Sequence, residues 1–327
     1  MKKFKLAFII SVLLLAMTVG VSSAALPGTG WWTFYQIQNV SDTSGTLSMT
    51  AYDSASTSTF SSADFSIDSG SALAYNPGIS PNYPSGDLIG FSSDLPSGFQ
   101  GSVAISSNVE IVAIAQLGNN SVGTVGSGGH ATSFYQGIGS NFTDTKINFP
   151  TVKHNFSGQS TTFFVQAAGA EAIVTMTYYM NNGSTYDQTV TIGANKMFVF
   201  DPANAGVPAG STLPAGSNPS LGAAVAESTS GDIAGVVVEH PHTGSPAAYV
   251  LSTRGLIASD ADTTIIAPTI KNAFNGGTTG FSVQNTGSNP ALVEITLTVT
   301  NAMDTSLIGD VYTDQEVIPA GGSTVFS

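Results

Sequence analysis

Apolar and polar residues alternate with a period of two along much of this chain. Val293, Ile295, Leu297 and Val299 interleave with Glu294, Thr296, Thr298 and Thr300, and Leu47, Met49 and Ala51 interleave with Ser48, Thr50 and Tyr52. Successive side chains of a strand point to opposite faces, so these stretches predict strands with one apolar face and one face of wetted hydroxyls. Such alternation suits antiparallel sheets that are solvated on one side. Beyond the first 25 residues no stretch holds a 3.6-residue period over a dozen positions, and Gly and Pro punctuate the gaps. Short strands rich in β-branched residues, separated by turn signals, predict an all-β protein of tandem antiparallel β-sandwiches.

The pattern repeats. The run Asp144-Thr145-Lys146-Ile147-Asn148-Phe149-Pro150-Thr151-Val152-Lys153 returns as Asp262-Thr263-Thr264-Ile265-Ile266-Ala267-Pro268-Thr269-Ile270-Lys271, an offset of 118. Without a gap the same offset carries Gly137 to Gly255, Gly158 to Gly276, Thr161 to Thr279, Phe163 to Phe281 and Val165-Gln166 to Val283-Gln284. A fainter copy begins at Ile37-Gln38-Asn39-Val40, which lines up with Val283-Gln284-Asn285-Thr286, whereas the middle copy has Ala167 in place of the Asn. Gly101-Ser102-Val103-Ala104-Ile105 resembles Gly222-Ala223-Ala224-Val225-Ala226, and each precedes a second apolar strand. Repeats at this period mark units that stack or follow in tandem. The expected organisation is a first sandwich over 26–130, a second over 131–258 and a partial third over 259–327. Long Pro-, Gly- and Ser-rich stretches at 76–100, 117–129 and 201–221 read as surface loops. The third unit stops after the strand that matches Met197–Phe200, which leaves three readings: a shortened chain, a cap folded onto the second sandwich, or an open edge that accepts a strand from another copy.

The first residues read as an address. Lys2, Lys3 and Lys5 precede an uncharged run from Leu6 to Val21, and Ser22-Ser23-Ala24-Ala25 supplies the small residues of a cleavage site. That is the layout of a secretory signal peptide over 1–25, and its core is shorter than the roughly 20 apolar residues a spanning helix needs. No membrane span is expected once it is removed. Leu26-Pro27-Gly28-Thr29-Gly30 matches the sortase pattern but stands at the wrong end of the chain to act as a sorting signal.

Composition narrows the function. Of eight Lys and Arg, three belong to the leader, and the other five face 21 acids, leaving a formal charge of −16. Nucleic-acid affinity rests on Lys and Arg replacing counterions, so a phosphate-tracking groove is excluded. Zero Cys excludes a disulfide scaffold, thiolate zinc sites and a Cys nucleophile. A hydrophobic share of 42% argues against disorder. With the leader, the tandem units near 118 residues, the low charge and the recurring Gln-Asn before a turn and an alternating strand, the chain resembles the repetitive immunoglobulin-like modules of secreted bacterial surface proteins. The resemblance implies an extracellular structural or adhesive role, or glycan binding as the alternative. Cell-surface proteins, glycans or further copies of the chain would be its partners, and it brings no catalytic residues.

Candidate chemistry is sparse. Glu239, His240 and His242 form the best metal group, because imidazole and carboxylate both ligate zinc and related ions; the competing reading is a polar turn, broken by Pro241, that closes a strand. Asp144, Asp260 and Asp262 stand where units meet and could offer oxygens to calcium, or serve as turn residues that bond their own backbone. Trp31, Trp32 and Tyr35 form the densest aromatic group and could stack on a sugar, although strand geometry turns at most one of the two Trp outward. His154 aligns with Asn272 and reads as surface variation. No Gly-x-Ser-x-Gly elbow is present, and the acids are scattered singly, so no catalytic residues are assigned and an enzyme is not expected. Sequons at Asn39, Asn119, Asn141, Asn155 and Asn182 would matter only in a glycosylating host.

Overall fold

The computed structural model describes residues 26, 30–76, 88–119, 131–243, 249–267, 270–271, 279–302 and 304–326. The expected leader (1–25), residues 27–29 of the sortase-like match, His130, and parts of the loops 76–100 and 117–129 lie outside the described residues.

Period-two alternation becomes strands throughout, and the only helical pieces among the described residues are 3-10 turns of three or four residues. The first set comprises β1 (Trp31–Asn39), β2 (Gly45–Asp53), β3 (Thr59–Ser61), β4 (Phe65–Ile67), β5 (Ala72–Tyr75), β6 (Leu88–Ile89), β7 (Gly101–Ser107), β8 (Ile111–Asn119) and β9 (Ala131–Gln136). One of its sheets runs β6-β5-β1-β8-β9; in the other, β2 pairs with β7 along one edge and with β3 and β4 in succession. The second set comprises β10 (Lys146–Lys153), β11 (Gln159–Ala167), β12 (Ala172–Met180), β13 (Thr185–Ile192), β14 (Met197–Phe200), β15 (Leu221–Ser228), β16 (Ile233–Pro241) and β17 (Leu251–Arg254). Its two sheets run β10-β15-β12-β13 and β14-β11-β16-β17. The last set is two ladders, β18 (Phe281–Gln284) with β21 (Ser323–Phe326), and β19 (Ala291–Thr298) with β20 (Val311–Ile318). All pairs are antiparallel except the two-residue β5–β6 contact.

The repeat read in the sequence reappears as a repeat of register. Tyr35↔Tyr75, Phe163↔Phe200 and Phe281↔Phe326 are the same cross-strand pair three times over, and so are Gly45↔Ile67, Ala172↔Ile192 and Ala291↔Ile318. Asn39 explains the recurring Gln-Asn. Its Nδ2 donates to Thr43 O (2.8 Å) and Ile67 O (3.3 Å), and its Oδ1 accepts from Ser41 N (2.9 Å). Asn285 repeats the arrangement with Asn289 O (2.7 Å), Ile318 O (3.0 Å) and Gly287 N (3.0 Å). A buried amide with three bonds thus fixes the turn after the strand. Where the middle copy has Ala167, Asn195 reaches over from the facing turn and accepts from Gly169 N (2.9 Å).

The central core is closed on both sides. Val174, Met176, Tyr178 and Met180 on one sheet face Phe163, Val165 and Val237 on the other, each fully or almost fully buried. Ile147 and Phe149 of β10 complete the layer, with the Phe149 and Phe163 rings edge-to-face at 5.0 Å. A Cβ on Gly235 or Gly255 would run into the Phe149 ring or Ile147 Cγ2, which accounts for both glycines. The N-terminal core, around Ile37, Leu47, Met49 and Ile67, is less complete: Val103, Ile105, Ile111 and Ala113 are only half-buried. In the last set Val293, Ile295 and Leu297 are likewise half-covered, while Leu292, Val311, Tyr312 and Val317 are exposed.

Adjacent sets meet at their turns. Ser102 Oγ donates to Asn195 O (2.5 Å) and Lys196 Nζ to Ser56 O (2.7 Å), so the β13–β14 turn sits on the first set. Gln284 Nε2 donates to Ala224 O (3.3 Å), Ser282 Oγ to Pro150 O (2.6 Å), and Gly321 (φ 71°) lies against the Tyr179 ring, so the β18–β21 ladder sits on the central sheet in the manner of a cap. An apolar seam joins the first two sets, with Leu117, Ala131 and Tyr135 against Phe164, Val236 and Val238.

Two local readings change. The segment 201–221, read as a loose excursion, is pinned: Asp201 caps a 3-10 turn through Ala203 N (2.8 Å), Val207 enters the core, and buried Asn218 ties Leu213 O to Ser220 N. The cluster read as a polar turn is strand: β16 runs on through Glu239 and His240 to end at Pro241, whose missing N–H costs the ladder little at the last position. Truncating Phe149→Ala should lower the stability of the central sandwich by about 3–5 kcal/mol, and Asn285→Ala should cost about 1–3 kcal/mol by leaving two carbonyls unpaired; urea titrations followed by intrinsic fluorescence would measure both.

Candidate functional site

The side chains with the most reactive chemistry gather at one end of the central sandwich, where β10 and β16 finish and β11 begins. Alternation along β16 sends Ile233 and Val237 into the core and Val236 and Val238 to the opposite, seam-facing side. Glu239 follows the first group, and His240 and His242 continue the second. The predicted metal group is therefore split across the sheet.

Glu239 Oε1 accepts from Lys153 Nζ at 2.6 Å and from Tyr249 OH at 3.0 Å. Burial, and then this carboxylate, pushes the Tyr249 hydroxyl up to about 12. His240 is buried; its Nδ1 donates to Pro241 O (3.0 Å), so its Nε2 accepts from Thr162 Oγ1 (2.9 Å). His242 Nδ1 shares a hydrogen bond with Ser160 Oγ (2.8 Å), which also accepts from Asn155 N (2.9 Å). His154, expected as surface variation, is half-buried. Its Nδ1 donates to Val207 O (2.6 Å), and its ring stands edge-on to His242 at 5.8 Å. Burial, the largest cause in each case, holds the His240 and His242 imidazoles below the ordinary histidine range, with the His154 charge adding to the effect on His242.

This corner contains a Ser–His pair and three imidazoles, yet among the described residues no carboxylate hydrogen-bonds any of them, and no three His, Asp or Glu side chains come together to hold a metal. Ser160 is almost wholly buried, and its hydroxyl braces the turn before β11, where Asn155, Ser157 and Gly158 all take positive φ. The arrangement fastens a strained turn to two strand ends. Ser160, Thr162 and Lys153 were not singled out in the sequence, because their role depends on the long-range pairings Ser160↔His240 and Thr161↔Glu239.

The other candidates lie apart. Trp31 joins the apolar seam between the first two sets, Trp32 lies on the opposite face of β1 across Gly118, and Tyr35 packs on the N-terminal core beside Tyr75 (6.0 Å). Burial, then the neighbouring Tyr135, pushes the Tyr35 hydroxyl well above the usual range. Asp144 Oδ1 accepts from Thr145 N (2.6 Å), and Asp262 Oδ1 does the same from Thr263 N (2.6 Å), two copies of one turn. Asp260 takes both ends of Arg254 at 2.7 Å, which holds its carboxyl below the usual range. Of the sequons, Asn39 and Asn119 are buried, Asn141 and Asn182 exposed, and Asn155 in between.

No family model and no curated protein matches the chain. Among solved structures it is similar to a crystal structure titled "putative secreted protein" from Parabacteroides distasonis, at 10% identity and a TM-score of 0.15, over 71% of this chain and 75% of that one. No helix among the described residues is long and apolar enough to cross a membrane.

A pH dependence follows from the two histidines. Their folded values lie below the unfolded value of about 6.5, so the unfolded chain binds more protons, and stability falls as pH drops through 6.5 towards the depressed folded values. The melting temperature should decline between pH 7 and 5, and replacing both residues by Asn should flatten that part of the profile, as read by scanning calorimetry.

Proposed function

We propose that the chain is a secreted or cell-surface structural or adhesive protein, built of repeated immunoglobulin-like β-sandwich units and without enzymatic activity. One observation carries this reading. The side chains that recur from unit to unit are those that hold the fold: the Asn39 and Asn285 turn anchors, the Asp144 and Asp262 turns, and the paired aromatics at the strand ends. The imidazoles, by contrast, occur once, each committed to a strand-end or turn partner. A reactive centre kept for its chemistry has no counterpart in the repeat.

The hydroxyl-rich outer faces and the strong negative charge suit a protein kept soluble outside the cell. Residues 1–25 act as the leader in this reading, so N-terminal sequencing of the exported product should start at Ala25 or Leu26. The exported protein should carry no stoichiometric metal by mass spectrometry and should turn over no ester, peptide or glycoside substrate. Turnover abolished by Ser160→Ala or His242→Ala, or zinc lost on mutating His240 and His242, would replace this reading with an enzyme. Binding on a glycan array that disappears with Trp32→Ala would replace it with a lectin-like one.

A further inference from the structure

The first and last sets of strands are each incomplete, and in complementary ways. In the central sandwich β10 lies along the free edge of β15, with Lys146↔Glu227, Ile147↔Ala226, Asn148↔Val225 and Phe149↔Ala224, and then Val152↔Gly222 after a register shift. The counterpart of β15 in the first set is β7: Met49↔Ile105 and Asp53↔Gly101 there match Met176↔Ala226 and Met180↔Gly222. Among the described residues β7 is paired with β2 alone. Counting back from β1 as β10 precedes β11, the residues that would fill the place are 18–25, inside the expected leader. Among the described residues this side of the core is thinly covered. Val103, Ile105 and Ile111 are half-buried, whereas their counterparts Ala224, Ala226 and Ile233 are fully buried.

The last set has the reverse problem. Residues 262–271 repeat the sequence of 144–153 and begin with the same Asp–Thr turn, yet residues 264–267 pair with no strand, and Ile265 and Ile266 are 72% and 84% exposed. Two adjacent isoleucines are held in solvent on a segment whose twin is a buried strand.

We infer that residues 264–267 of one copy add as an antiparallel strand to the edge of β7 in a second copy. The central sandwich sets the register: Thr264 opposite Ser106, Ile265 opposite Ile105, Ile266 opposite Ala104 and Ala267 opposite Val103. Side-chain size agrees. Phe149 needs Gly235 and Gly255 beneath it, since a Cβ on either would strike its ring. In the first set those places are held by Ala113 and Gly137, with a Cβ on Gly137 already meeting the Ala113 methyl, so the smaller Ala267 fits where a Phe would not. Strand addition satisfies the edge amides of both partners and covers Ile265 and Ile105 together. The donor and acceptor edges lie on different units, so the contact is heterologous and propagates head to tail. This deepens the structural reading above and depends on residues 18–25 departing with the leader.

The chain has no Cys, which gives a clean test. Exported proteins carrying Ile266→Cys alone and Ala104→Cys alone are mixed under mild oxidation and the heterodimer is measured by mass. Ready cross-linking is expected, and Ser107→Cys in place of Ala104→Cys should give little. Light scattering should show concentration-dependent oligomers, weakened roughly tenfold or more by Ile265→Asp with Ile266→Asp. Both side chains are exposed in the free chain, so that variant keeps its fold and serves as the soluble control. A protein retaining residues 1–25 should stay monomeric. Absence of the 104–266 cross-link, equal cross-linking at 107, or unchanged assembly of the double Asp variant overturns the inference. A strict monomer that is exported and inert would leave the structural role standing without the assembly, and substrate turnover by a cross-linking chain would do the reverse.

Discussion

Ile147 and Phe149, carried on one strand laid against β15, close the one core that is complete on both sides among the described residues. Around that contact the remaining features fall into place. Gly235 and Gly255 are bare because the Phe149 ring needs their space, and Val237 and Val174 are dry because the ring covers one end of the layer. In the first and last units, where the described residues include no strand paired in the place of β10, the corresponding side chains are half-wetted. Fully burying an aliphatic or aromatic side chain is worth about 1.5–3 kcal/mol, so leaving several of them open on each of two units is a substantial unspent driving force for association.

Much of this architecture was legible in the sequence. Strict alternation in 291–298 and 45–53 announced strands, and the offset of 118 announced the recurrence that the cross-strand pairs later display. What escaped is of one physical kind: features fixed by contacts distant in sequence. That β3 and β4 jointly occupy one edge of β2, as β13 does alone in the next unit, depends on a break at 62–64 with no strong turn signal. Asn195 substituting for the Asn that Ala167 lacks could not be read locally, since the two segments are neighbours only once β11 meets β14. The loop 201–221 looked loose because Gly, Pro and Ser describe a backbone without stating which polar groups will be buried.

The candidate site follows the same logic. Sequence proximity suggested that Glu239, His240 and His242 act together, but a strand sends neighbours to opposite faces, and Glu239 meets Lys153 while the histidines meet Ser160 and Thr162. Proximity along a strand argues for shared function only at every second residue. Applied to Trp31 and Trp32, the rule separates them too, one into the seam and one across Gly118.

The β13–β14 turn rests on the first set through Asn195, and the β20–β21 turn rests on the second through Gly321 against the Tyr179 ring. Each of these turns therefore closes its own pair of strands and meets the preceding set at once. A substitution in such a turn would loosen two sets together, so these few residues carry constraints from both sides of a seam.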